Sequence, residues 1–197
     1  MLHDTTSRRT FVAASGAALA SLWVTADPDT VQASLRHALD AARSATPLPW
    51  ETFTAEQATD VEAIAVQLIP TDDTPGAREA KAINFIDHAL ATWASQQKED
   101  FLKGLAELNA EAEKRWPGTG GFASLSSERQ VELLKAWEKD RKPFFDQVRT
   151  ATIRGTFSDP SYGGNAGEIG WKLLNYEHRP NWQPPFGAYD VAANGGR

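Results

Sequence analysis

The 197-residue chain contains no cysteine. Disulfides, iron–sulfur ligation, c-type haem attachment and thiolate nucleophiles are therefore all excluded. Histidine is scarce, with four in the chain, so a zinc site would have to be built from imidazole and carboxylate alone. Basic residues are outnumbered. The formal charge of -6 argues against nucleic acid, whose binders need a basic face to displace counterions, and against an anionic membrane surface. There is no G-K-[ST] tripeptide and so no P-loop. No stretch alternates apolar and polar residues convincingly at period two, and no βαβ pattern or internal repeat is visible.

What remains is an ordinary globular composition, 41% hydrophobic, with length for one domain and a real core. The seven tryptophans are a high count for a residue favoured in cores and at protein interfaces.

The N-terminal stretch MLHDTTSRRTFVAASGAALASLWVTADP has the order of a secretory signal. Arg8 and Arg9 precede an apolar run from Phe11 to Val24 that is too short to span a bilayer, and small residues follow. Ser7, Arg8, Arg9 and Phe11 fit a twin-arginine signal, the alternative being a chance Arg pair in a general secretory signal. Residues 1–26 are thus expected to be the signal peptide and 27–197 the mature domain. The twin-arginine route carries folded proteins and serves mainly where a cofactor is inserted before export, so the rest of the chain can be searched for a cofactor site.

Helical periodicity dominates the mature chain. Asp27-Pro28 opens a first helix with Val31, Leu35, Ala38, Leu39 and Ala42 on one face. Thr54 and Gln57 form a capping box ahead of Val61, Ile64, Ala65 and Leu68, and Pro70 ends that helix. Asp72, Asp73 and Thr74 read as turn and cap chemistry. Further helices carry Ile83, Ile86, Leu90 and Trp93, then Phe101, Leu105, Leu108 and Ala112. Ser127 with Gln130 gives a second capping box before Val131, Leu134 and Trp137. Pro143 starts a helix with Phe144, Val148 and Ala151, which Gly155 is placed to close. The expected fold is all-α: a single compact domain of about six helices. Its C-terminal segment, 155–197, is irregular and rich in Gly, Pro and aromatics.

That segment begins GTFSDPSYGGNAGEIGWK (155–172). Gly164, Gly167 and Gly170 give G-x-x-G-x-x-G, which lacks both the spacing and the preceding strand of a dinucleotide fingerprint. Asp159, Asn165 and Glu168 are oxygen ligands without EF-hand spacing, and Asp159-Pro160 reads as an Asx-turn. His37, His88 and His178 stand in no H-E-x-x-H or G-x-S-x-G frame. The tail beyond Asn175, with Trp182, Pro184, Pro185, Phe186 and Tyr189, is too aromatic for a disordered tail. Its rings must be buried on the chain's own helices or on a partner. A folded-export signal is therefore paired with no visible cofactor site, as expected either if the cofactor belongs to a partner exported on this chain's signal or if a cofactor-free protein simply folds before export.

Several stretches together resemble the gluconate 2-dehydrogenase subunit 3 family, the small (gamma) subunits of bacterial flavin-dependent sugar and alcohol dehydrogenases. They are S-R-R-T-F-V, F-T-A-E-Q at 53–57, A-V-Q-L-I-P-T-D-D-T-P-G-A-R-E-A at 65–80, I-N-F-I-D-H-A-L, and above all G-T-F-S-D-P-S-Y-G-G-N at 155–165 with G-W-K at 170–172. The resemblance implies an accessory, non-catalytic subunit with no cofactor, metal or catalytic residue of its own. FAD would sit in a glucose–methanol–choline type catalytic partner that oxidises a sugar or polyol, and haem in a cytochrome c subunit where one is present. The small subunit would support maturation and supply the export signal, with Arg8, Arg9 and Phe11 engaging the twin-arginine machinery. The complex would then be periplasmic, and membrane-associated only through its other subunits. Asp159, Tyr162, Gly163, Gly164, Asn165 and Trp171 would shape the partner surface, and Trp182 and Phe186 would extend it. The competing expectation is an independent periplasmic helical enzyme or small-ligand binder using the 155–172 loop.

Overall fold

The computed structural model describes residues 49–178, and within them it contains six α-helices and no strand. The sequence-based all-α expectation holds there. The helix expected from Asp27-Pro28, the signal peptide and the boundary at 26 all lie outside the described residues.

Helix α1 (Ala55–Leu68) starts at Thr54, whose hydroxyl accepts the Gln57 amide while the Gln57 side chain accepts the Thr54 amide. This is the reciprocal capping box the sequence predicts. Val61, Ile64 and Ala65 are buried on its inner face, and the helix stops at Ile69, before Pro70. In the turn that follows, the Asp72 carboxylate accepts from the Thr74 amide and hydroxyl, each at 3.0 Å, as an Asx-turn should.

Helix α2 (Ala82–Ala91) is buried on nearly every face, including Phe85, Ile86, Asp87, His88 and Leu90. An all-round apolar helix is a core helix, and α2 lies between α1 and α5, with its most extensive packing on α5. Trp93, expected on its apolar face, lies two residues past its end and packs on the core from the side. Helix α3 (Lys98–Arg115) buries Phe101, Leu105, Leu108 and Ala112, the four residues its periodicity predicts. It crosses α5 closely. A Cβ on Gly104 would fall 2.5 Å from Phe144 Cβ.

Helix α4 (Ser127–Lys139) departs from expectation. Its N-cap is Ser126, and no side chain caps it. Gln130 turns inward and donates to the Phe122 and Ala123 carbonyls at 3.2 and 3.3 Å, while accepting from Gln67 at 2.7 Å. Its amide is committed to tertiary contacts, so the Ser127–Gln130 capping box does not form. Asp60 and Asn109 hold the same 122–124 turn from the other side through the Ala123 and Phe122 amides. Helix α5 (Pro143–Phe157) opens on Pro143 as predicted but runs two residues beyond Gly155. Gly155 is an interior residue at a close crossing, where a Cβ would lie 2.7 Å from the Ala82 carbonyl oxygen. Helix α6 (Ile169–Leu173) is a single short turn that buries Trp171.

Candidate functional site

The segment between α5 and α6 folds on an internal hydrogen-bond frame. Asp159 accepts the Ser161 amide at 2.9 Å and starts a 3-10 turn at Pro160–Tyr162. Gly163 then takes φ +93, a left-handed conformation that glycine adopts without a Cβ penalty. Gly164 follows so tightly that a Cβ would lie 2.1 Å from the Gly155 carbonyl oxygen.

Asn165 is the centre of the frame. It is fully buried, left-handed at φ +44, and bonded three ways. Its amide donates to the Gly155 carbonyl at 2.7 Å, its side-chain N–H donates to the Ser158 carbonyl at 2.8 Å, and its side-chain oxygen accepts the Gly170 amide at 2.7 Å. The next amide, that of Ala166, donates to the Ala80 carbonyl at 3.0 Å, which ties the loop to the approach of α2. Trp171 is buried and donates its indole N–H to the Phe157 carbonyl at 2.8 Å. Tyr176 meets that indole edge-on at 5.3 Å, and His178 stacks on it at 4.8 Å.

A chain of rings connects this frame to the start of the described chain. Tyr162 meets Trp93 edge-on at 5.5 Å, and Trp93 meets His88 at 5.3 Å. His88 Nδ1 lies 2.8 Å from the Glu51 carboxylate. The neighbouring Asp87 accepts the amides of Glu51, Thr52 and Phe53 at 2.8 to 3.0 Å. A carboxylate receiving three backbone N–H groups is a strong clamp. The sequence signals only the Asp87-His88 pair, because its partners lie 34 to 37 positions away.

The expected site residues therefore divide. Gly164, Asn165 and Trp171 are buried and shape the loop from within. Asp159, Tyr162 and Gly163 are half-buried, and Gly167, Glu168, Leu174 and Tyr176 are exposed. Arg8, Arg9, Phe11, Trp182 and Phe186 lie outside the described residues. The glycines of 155–172 close against neighbouring atoms or lie open on the surface, so the loop is a tightly held platform. Arg154, in the last turn of α5, is pushed down to about 10 by burial; at neutral pH it keeps its charge beside a helix C-terminus, where a cation is favoured. Among the described residues no group of three or more His, Cys, Asp or Glu could hold a metal ion, and no helix is long and apolar enough to cross a membrane.

Behind the platform runs a largely apolar groove of about 620 Å³, between the end of α1, one face of α5 and the end of α6. Nothing in the sequence pattern marks it, since its walls come from three distant stretches.

A family model described as gluconate 2-dehydrogenase subunit 3 matches residues 55–177. That span takes in all six helices and the whole platform. No curated protein and no solved structure matches the chain.

Proposed function

Since the chain belongs to the gluconate 2-dehydrogenase subunit 3 family, and is on that ground an accessory subunit of a dehydrogenase complex, we propose that it is the non-catalytic small subunit of a periplasmic, FAD-dependent sugar or polyol dehydrogenase. Its partner is a glucose–methanol–choline type flavoprotein, and its task is to support that partner's maturation and export by the twin-arginine route. A cytochrome c subunit completes the electron path where one is present.

The family match carries this reading. Two features fit it. Ser7-Arg8-Arg9 with Phe11 supply a folded-export signal. The 155–176 platform is fixed by internal hydrogen bonds before anything docks, and a preorganised surface loses little entropy on binding. In this reading the flavoprotein meets the outward edge formed by Asp159, Tyr162, Gly163, Glu168 and Tyr176, with the chain beyond His178 extending it.

The test is export. Replacing Arg8 and Arg9 together by Lys is expected to leave both this chain and the flavoprotein in the cytoplasm, read by fractionation and by periplasmic dehydrogenase activity. If the flavoprotein still reaches the periplasm, the shared-signal role is wrong.

A further inference from the structure

The groove behind the platform is lined mainly by apolar side chains, with Asp72, Asp73, Glu138, Arg149 and Lys172 also along its walls. Its floor is Phe145, Ile153 and Phe157 from α5, walled by Ile69 at one side and Leu173 and Leu174 at the other. Leu174 is 43% exposed there, one of three large apolar side chains so open among the described residues. The cations at the rim are already engaged. Arg149 pairs with Asp146 at 2.8 Å and with Glu138 at 3.5 Å, and Lys172 donates to the Gly167 carbonyl at 2.7 Å. With its cations engaged and carboxylates beside them, the groove favours a ligand without negative charge that buries rings.

The chain delivers such a ligand to the spot. Leu173 and Leu174 line the groove, and Tyr176 and His178 then pack on Trp171, whose indole is bonded to Phe157 of the floor. The described residues thus end on Trp171, one position before the groove-lining Lys172 and Leu173. Beyond them 180–189 reads P-N-W-Q-P-P-F-G-A-Y, ten residues without a charge, with three prolines and three aromatics. Proline-rich segments favour the extended polyproline conformation and dock in aromatic-lined grooves at low entropic cost. Even a short extended stretch, at about 3.3 Å per residue, reaches across a helix face.

We propose that residues 180–189 of the same chain occupy this groove, with Trp182 and Phe186 seated against the Phe145–Phe157 face of α5. The tail would then turn its rings inward and present its backbone and polar side to a partner. This goes beyond the proposed function and is tested on the isolated full chain, so either can fail without the other.

The absence of cysteine allows one to be introduced cleanly. A nitroxide on E138C at the groove rim should broaden the Trp182 indole N–H and Gly187 amide resonances in the full chain. Separately, W182A/F186A and a stop after His178 should each speed amide exchange along α5 around Ile153 by about tenfold and raise binding of an apolar dye. A synthetic peptide of residues 179–197 should reverse both effects in the truncated chain, while its W182A/F186A version should not. The proposal is overturned if the label leaves Trp182 sharp. It is equally overturned if the label broadens residues of 1–48 instead, if neither variant changes exchange on α5, or if the groove becomes protected only when the flavoprotein is added.

Discussion

At the scale of single residues, Gly164 and Asn165, expected to shape a partner surface, are held in place by structural constraints inside the loop. Gly164 and Asn165 suggest a binding loop because both are residues tolerant of unusual backbone. In the structure Gly164 is required by the Gly155 carbonyl oxygen, and Asn165 satisfies the Ser158 carbonyl and the Gly170 amide from a fully buried position. Asn165→Ala leaves both partners without their bond and keeps a left-handed backbone on a residue that disfavours it. It should cost about 3 kcal/mol, seen as a lower urea midpoint with unchanged slope. The glycines should rank by surroundings. Gly164→Ala forces backbone against backbone, whereas Gly167→Ala meets open space and suffers only from its φ of +63, a strain of about 1 kcal/mol. Equal losses of stability in the two variants would contradict this account of the loop.

At the scale of elements, the sequence was readable wherever local chemistry decides the outcome. The Thr54 capping box, the apolar face of α3 and Pro143 at the start of α5 are determined by neighbours three or four residues away, and each appears as predicted. It misleads where a distant element decides. Gly155 looks like a helix stop but is an interior glycine facing Ala82, and Gln130 looks like a capping residue but is taken by the 122–124 turn. Only tertiary packing contains that information. The loop 116–121 between α3 and α4 makes a pH-dependent element. The exposed Glu113 carboxylate accepts the Gly118 and Gly120 amides at 2.5 and 3.2 Å, and these bonds hold its pKa below the usual glutamate range. A depressed acid stabilises the folded loop above the ordinary value of about 4.3, and that contribution is lost as pH falls through the lowered one. The Gly118 and Gly120 amide shifts should therefore titrate together below about pH 4.3, and Glu113→Gln should abolish the titration.

At the scale of the whole molecule, the buried frame carries the fold and the proposed docking edge lies outside it. The clamp of Asp87 on residues 51–53, the ring series His88–Trp93–Tyr162 and the Asn165 frame link the start of the described chain, the central helix α2 and the platform into one body. The outward edge rests on that body and contributes little to it. This predicts two kinds of variant. Substitutions within the frame should lower the stability of the free chain and weaken complex formation together. Glu168→Arg with Tyr176→Ser, both at exposed positions, should leave the free chain within about 1.5 kcal/mol of its original stability, the most that one lost aromatic pair accounts for. If the proposed flavoprotein docks at this edge, the same pair should reduce its co-purification by tenfold or more, because reversed charge and a missing ring there oppose association directly. Both quantities come from one preparation, by thermal melting of the free chain and pull-down of the co-expressed partner. If the double variant melts normally and still captures the flavoprotein in full, the partner docks on another face, and the frame around Asn165 serves only the fold.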